Sequence, residues 1–86
     1  MDALGGAGYD KSMKVITLST ILQPEDDGYV SLCPELDIAS QGDTIESALA
    51  NLKEALAGFF ETASPEEVKR RLKKPVLFTH VEVACA

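Results

Sequence analysis

From Ile45 to Phe60, the residues Ile45, Ala48, Leu49, Leu52, Ala55, Leu56, Phe59 and Phe60 recur at spacings of three and four. That period lines one side of an α-helix, and Glu46, Asn51, Lys53, Glu54 and Glu61 fall on the opposite, solvated side. A helix cannot bury such a stripe by itself, so the rest of the chain has to supply a surface for it. The helix start is marked by Gly42-Asp43-Thr44, whose side chains accept hydrogen bonds from free first-turn amides. Asp43 with Glu46, or Thr44 with Ser47, forms the cap, and the two choices shift the start by one residue.

The residues before this helix have the composition and alternation of strands. Lys14 to Leu22 is rich in β-branched residues and sets Ile16, Leu18 and Leu22 against Val15, Thr17, Ser19 and Ile21. Gln23 to Gly28 is expected to turn the chain, because proline lacks a ladder donor and Asp27-Gly28 tolerates positive φ. A second strand, Tyr29 to Cys33, completes a hairpin. Pro34 ends its pairing, and Glu35-Leu36-Asp37 forms a corner whose leucine plugs the core edge, before a short third strand from Ile38 to Gln41.

After the long helix, Ser64-Pro65-Glu66-Glu67 is a second start signal, with Ser64 as cap, Pro65 at the first position and Glu67 completing a capping box. The short helix it opens, Pro65 to Leu72, is stopped by Pro75. Val76 to Val83 then predicts a last strand, apolar on both sides at its start, that adds to this sheet or to a neighbour's edge; at an edge, Val76, Phe78, His80 and Val81 would be covered by a second copy. The expected architecture is α+β, a small β-β-β-α-β domain with an antiparallel sheet and one long helix packed on a face. Residues 1–12, centred on Leu4-Gly5-Gly6-Ala7-Gly8, are expected to be a flexible tail ahead of a single domain over 13–86, and Met13 offers an alternative start.

At 86 residues, such a chain buries only about 60–65% of its unfolded surface, so pairing into a homodimer or higher oligomer would help it. No apolar run reaches the roughly 18 residues of a bilayer span, and the N-terminus lacks a signal-peptide pattern, so a cytoplasmic location is expected. Cys33 and Cys85 are expected to be small buried or half-buried hydrophobes, neither a disulfide scaffold nor a metal framework. The net charge of −6 is uneven: residues 1–62 hold eleven acids and three bases, and residues 63–86 hold three acids and five bases. An acidic body repels phosphate backbones and attracts a basic partner.

Catalytic chemistry finds little to work with. His80 is the single histidine, so no triad or histidine pair can be built within one chain, and no enzyme activity or cofactor is expected. Asp26-Asp27 and Glu35 with Asp37 are the carboxylates a hard cation would need, but turn chemistry accounts for them without a metal. A ribonuclease H-type nuclease would need several carboxylates converging on two ions. The glycines at Gly5-Gly6-Ala7-Gly8 have no strand before them and no helix after, so they are no phosphate loop. Lys69, Arg70, Arg71, Lys73 and Lys74 could contact nucleic acid; a basic helix end favouring the helix dipole is the simpler explanation.

Gly28-Tyr29, Cys33-Pro34-Glu35-Leu36, Ser40-Gln41-Gly42-Asp43-Thr44 and Asn51-Leu52-Lys53-Glu54-Ala55-Leu56 together resemble the signature of the HicB-like antitoxin family, over about Lys14 to Ala63. The resemblance implies a partial ribonuclease H-like fold without nuclease activity. It also implies a partner, a small basic HicA-type toxin that cleaves mRNA and whose active site the antitoxin blocks. On that reading the contact residues are the acidic turn Glu25, Asp26 and Asp27 with Tyr29, and the corner acids Glu35 and Asp37. The family's common C-terminal DNA-binding domain has no counterpart in these 86 residues, so operator binding is not expected of them. The corner also departs from the family pattern, continuing Leu36-Asp37-Ile38-Ala39 where proline and glycine are usual.

Overall fold

A computed structural model describes residues 15–86. Three strands, β1 (Ile21–Glu25), β2 (Gly28–Cys33) and β3 (Ile38–Gly42), form an antiparallel sheet in the order β1-β2-β3. Two helices follow, α1 (Ile45–Thr62) and α2 (Pro65–Lys73). The protein is therefore α+β, with the long helix laid across one sheet face. The expected tail over residues 1–12 and the start of the first strand at Lys14 lie outside the described residues; of the rest of that expected strand only Ile21 and Leu22 join the ladder, and residues 15–20 do not.

The first hairpin is displaced toward the C-terminus relative to the sequence expectation. Pairing runs from Ile21 opposite Leu32 to Glu25 opposite Gly28, so Gln23, Pro24 and Glu25 are strand and only Asp26 and Asp27 turn. Proline is tolerated because β1 is an edge strand. In a two-residue turn the closing residues exchange hydrogen bonds, so Glu25, Gln23 and Ile21 face β2 with their backbone groups, and Pro24 turns its missing donor outward. The left-handed residue is Asp26, with φ of 50°, the feature shared by both primed hairpin turns. Gly28 is needed for another reason: a Cβ there would fall 2.5 Å from the carbonyl of Gly42 on β3.

The sheet face under α1 carries Leu22, Ser31, Cys33, Ile38 and Ser40 in register. Ser31 is fully buried and donates to the Ala48 carbonyl at 2.8 Å, so the helix backbone is hydrogen-bonded onto β2. Small residues on both sides of that contact let the two elements approach closely. Leu52 completes a buried cluster with Cys33 and Leu36, and Leu18, Ile38, Leu56, Phe59 and Phe60 pack around it. The corner leucine is thus the plug expected from the sequence. At the other end of the stripe, Ile45 and Leu49 stay partly exposed.

Thr44 caps α1, with its hydroxyl oxygen accepting from the Ser47 amide and the Ser47 hydroxyl oxygen accepting from the Thr44 amide, each at 3.0 Å. Ser64 caps α2 by accepting from the Glu67 amide at 3.1 Å. Glu67 does not reach back to close a box, because its carboxylate is engaged by Arg70 and Arg71.

Two expectations fail. Val76 to Val83 is not a strand: this segment, with Val76, Phe78, His80 and Val81, makes no ladder with any described residue. Strand propensity alone does not make a strand, since the backbone groups need a neighbouring edge. Cys85 lies in the same segment and is exposed, whereas Cys33 is buried as expected.

Truncating the plug tests this account of the core. Leu36→Ala is expected to cost about 2–4 kcal/mol, read as a lower denaturant midpoint at unchanged slope, because Leu36 is 1% exposed and packed in the buried cluster with Cys33 and Leu52.

Candidate functional site

The candidate contact residues separate into two groups at opposite ends of β2. Glu25, Asp26, Asp27 and Tyr29 stand at the hairpin end, and Glu35 and Asp37 at the corner. Five residue steps of strand, about 17 Å, separate Gly28 from Cys33. The structure does not bring the six into one site.

The hairpin end is a shallow cleft of about 510 Å³ whose walls include Glu25, Asp26, Asp27, Tyr29, Asp43 and Asn51. Each wall has a local cause. The turn places the first three; the pairing of Tyr29 with Gly42 sets β3 alongside, and the α1 cap follows immediately with Asp43. Gly42 admits this packing because a Cβ there would meet the Ala48 amide nitrogen at 2.5 Å. Asn51 donates to the Gln41 carbonyl at 2.8 Å and so closes the cleft's far wall. Four carboxylates and no base line it, and none of the four forms an ion pair with a described residue. Asp43 went unnoticed as a site residue in the sequence because its helix-start position explained it already.

The corner is electrostatically different. Its cleft, of about 340 Å³, is lined by Glu35, Asp37 and Glu67 together with Arg70, Arg71 and Lys74. Acids and bases balance there. Arg71 donates to the Leu36 carbonyl at 2.8 Å and to Glu67 at 2.7 Å, and its guanidinium lies 5.3 Å from the centre of the Phe59 ring. Arg70 pairs with Glu67 as well. Two of the five bases considered for nucleic-acid contact are therefore committed to seating α2 on the corner. Lys69, Lys73 and Lys74 form no ion pair with a described residue.

Glu35 is committed in the same way. Both its oxygens accept from the Ser19 amide, at 3.1 and 3.0 Å, and the Cys33 thiol donates to it at 3.6 Å. Partial desolvation raises its pKa, but the hydrogen bonds from Ser19 and Cys33 outweigh this and hold the carboxyl below its ordinary value of 4.5. Burial pushes the Cys33 thiol above its ordinary 9.0 and keeps it protonated, a donor and not a nucleophile. Asp37 takes a left-handed φ of 55°, which a short polar side chain tolerates, so its place in the corner has a backbone reason.

His80 lies in the unpaired segment after α2, where it is exposed. Among the described residues no group of three histidine, cysteine, aspartate or glutamate side chains is placed to hold a metal ion. No helix among them is long and apolar enough to cross a membrane. In comparisons with known proteins, no family model, curated protein or solved structure matches the chain.

Two outcomes follow for the corner. Because the Glu35 pKa is depressed in the folded state, its contribution is fully present above the ordinary carboxylate value and is lost as pH falls through the lowered one. Glu35→Gln should therefore lower stability by about 1 kcal/mol at pH ~7 and by progressively less below pH 4.5, measured by thermal unfolding across that window. Arg71→Ala should raise amide exchange throughout α2 while leaving β2 and α1 protected, because the helix loses its bond to Leu36 and its stacking on Phe59.

Proposed function

We propose that this chain is a non-enzymatic, HicB-like antitoxin-type module that binds a small basic protein, a HicA-type mRNA-cleaving toxin, at the hairpin-end cleft. The carrying observation is the wall of Glu25, Asp26, Asp27 and Asp43 with no base among them. Such a cleft attracts a cationic surface and speeds its approach, and it repels nucleic acid. A toxin that cleaves RNA must itself present a positive surface to phosphates, so an acidic cleft is the complementary shape of charge for blocking it.

A three-stranded antiparallel meander followed by a helix across one face is also compatible with the partial ribonuclease H-like fold that the sequence signature implies. The corner acids, spent on Ser19 and on the backbone, have a smaller part in this reading than the hairpin acids. Nucleic-acid binding through residues 69–74 is disfavoured, since Arg70 and Arg71 are engaged and the remaining lysines stand beside an acidic body.

The test is a charge reversal that spares the left-handed Asp26. Glu25→Lys with Asp27→Lys should raise the dissociation constant for a small basic toxin encoded beside this chain about tenfold or more at low salt, with the difference shrinking as ionic strength rises. Titration calorimetry at two salt concentrations measures it. Failure of the unaltered chain both to bind such a toxin and to restore growth on co-expression would overturn the proposal.

A further inference from the structure

We propose that two copies of this chain exchange their C-terminal arms, Val76–Val83 of each pairing along the open outer edge of Val15–Leu22 of the other.

The arm carries Leu77, Phe78, Val81 and Val83 at 84%, 62%, 82% and 76% exposure, on one continuous segment with strand composition and no ladder. Four large apolar side chains in eight residues, all in water, mark a surface built to be covered. The arm's strand-forming backbone groups also find no partner among the described residues.

The sheet has two outer edges, and they are not equivalent. At β3 the Gln41 carbonyl is already taken by Asn51, and the chain passes at once into the α1 cap. At β1 the register turns the backbone of Ile21, Gln23 and Glu25 toward β2, and so turns that of Leu22 outward. Residues 15–20 are not strand in the isolated chain; extending the alternation of β1 through them would turn Thr20 and Leu18 outward too. Ser19 faces inward, where Pro34 has ended β2, and the Glu35 carboxylate takes its amide in place of a strand. Pro24 closes the hairpin end of this edge. Among the described residues nothing pairs along the outer side of Val15 to Leu22, and Val15 itself is 97% exposed.

Among the described residues arm and edge thus have no partner, and they lie close together. Arg71 pins α2 to the Leu36 carbonyl, and Val76 lines the corner cleft beside Glu35, which holds Ser19. The arm nonetheless does not close on its own edge. Only Lys74 and Pro75 separate α2 from the arm; Lys74 is extended and proline fixes the next φ, so the connection is short and stiff. Short constrained hinges favour exchange of an element between identical copies over its return within one. Reciprocal exchange is a two-fold arrangement in which each copy both gives and receives, and it brings the bases of α2 toward the acidic body of the partner.

Light scattering of the full chain at micromolar concentration should give twice the 9.2 kDa chain mass, and amide exchange should show protection at Leu18, Thr20 and the arm. Phe78→Pro with Val81→Pro removes two donors from a segment that touches nothing in the isolated fold. That variant should fall to 9.2 kDa, keep the helical circular dichroism of α1 and α2 while losing strand signal, and lose protection at Leu18 and Thr20. A single-chain mass for the unaltered protein, with or without a protected arm, would overturn the proposal. So would a dimer that survives the proline substitutions, or one whose Leu18 and Thr20 amides exchange freely.

Discussion

The turn from Pro34 to Asp37 holds three otherwise separate parts of the molecule together. Its leucine enters the core against Cys33 and Leu52, its glutamate takes the Ser19 amide, and its Leu36 carbonyl receives Arg71 from α2. Each contact satisfies a group that would otherwise be costly. An empty core edge, an amide with no strand opposite it and a helix with no buried residue of its own all depend on the same four positions. The second helix in particular has no buried residue, and the Arg71 guanidinium ties it to the Leu36 carbonyl and to the Phe59 ring.

That arrangement also sorts the charges. Acids and bases neutralise one another at the corner, where Glu67 gathers both arginines, while the hairpin end keeps its carboxylates uncompensated. The field of the folded chain is therefore more polarised than its net charge suggests. A partner drawn by charge meets the hairpin end, and the binding reading proposed above follows from that polarity more than from any single residue.

The buried interior is small: Cys33, Leu36, Ala48 and Leu52, with Ser31 hydrogen-bonded among them. Each fully buried aliphatic side chain contributes about 1.5–3 kcal/mol, against the conformational entropy of the whole ordered chain. A core of this size leaves little margin, and the apolar residues of the C-terminal arm and of Val15 and Ile16 remain outside it. The exchange proposed above would take those residues out of water.

Much of this fold was readable along the chain, because caps, turns and the helical stripe are local. Ser64-Pro65 opened α2 within a residue of its end, Thr44-Ser47 was one of two caps anticipated, and Leu36 was placed in the core by its position after proline. The hairpin was anticipated but misplaced, since a proline that stops a central strand is harmless on an edge, and edge position is a property of the sheet. The candidate site was legible as a set of acids and illegible as a place. Glu35 and Asp26 look alike in a sequence; only the fold gives one a half-buried amide to bind and leaves the other in solvent beside Asp43. The strand pattern of Val76 to Val83 marks the same limit, for composition sets what a segment could pair with and tertiary structure sets whether an edge is within reach. Residue order along the chain determined the helices, the turns and the excess of acid. Three-dimensional packing alone decided which charges cancel and which strand-like segments stay open, because both depend on distances between residues far apart in sequence.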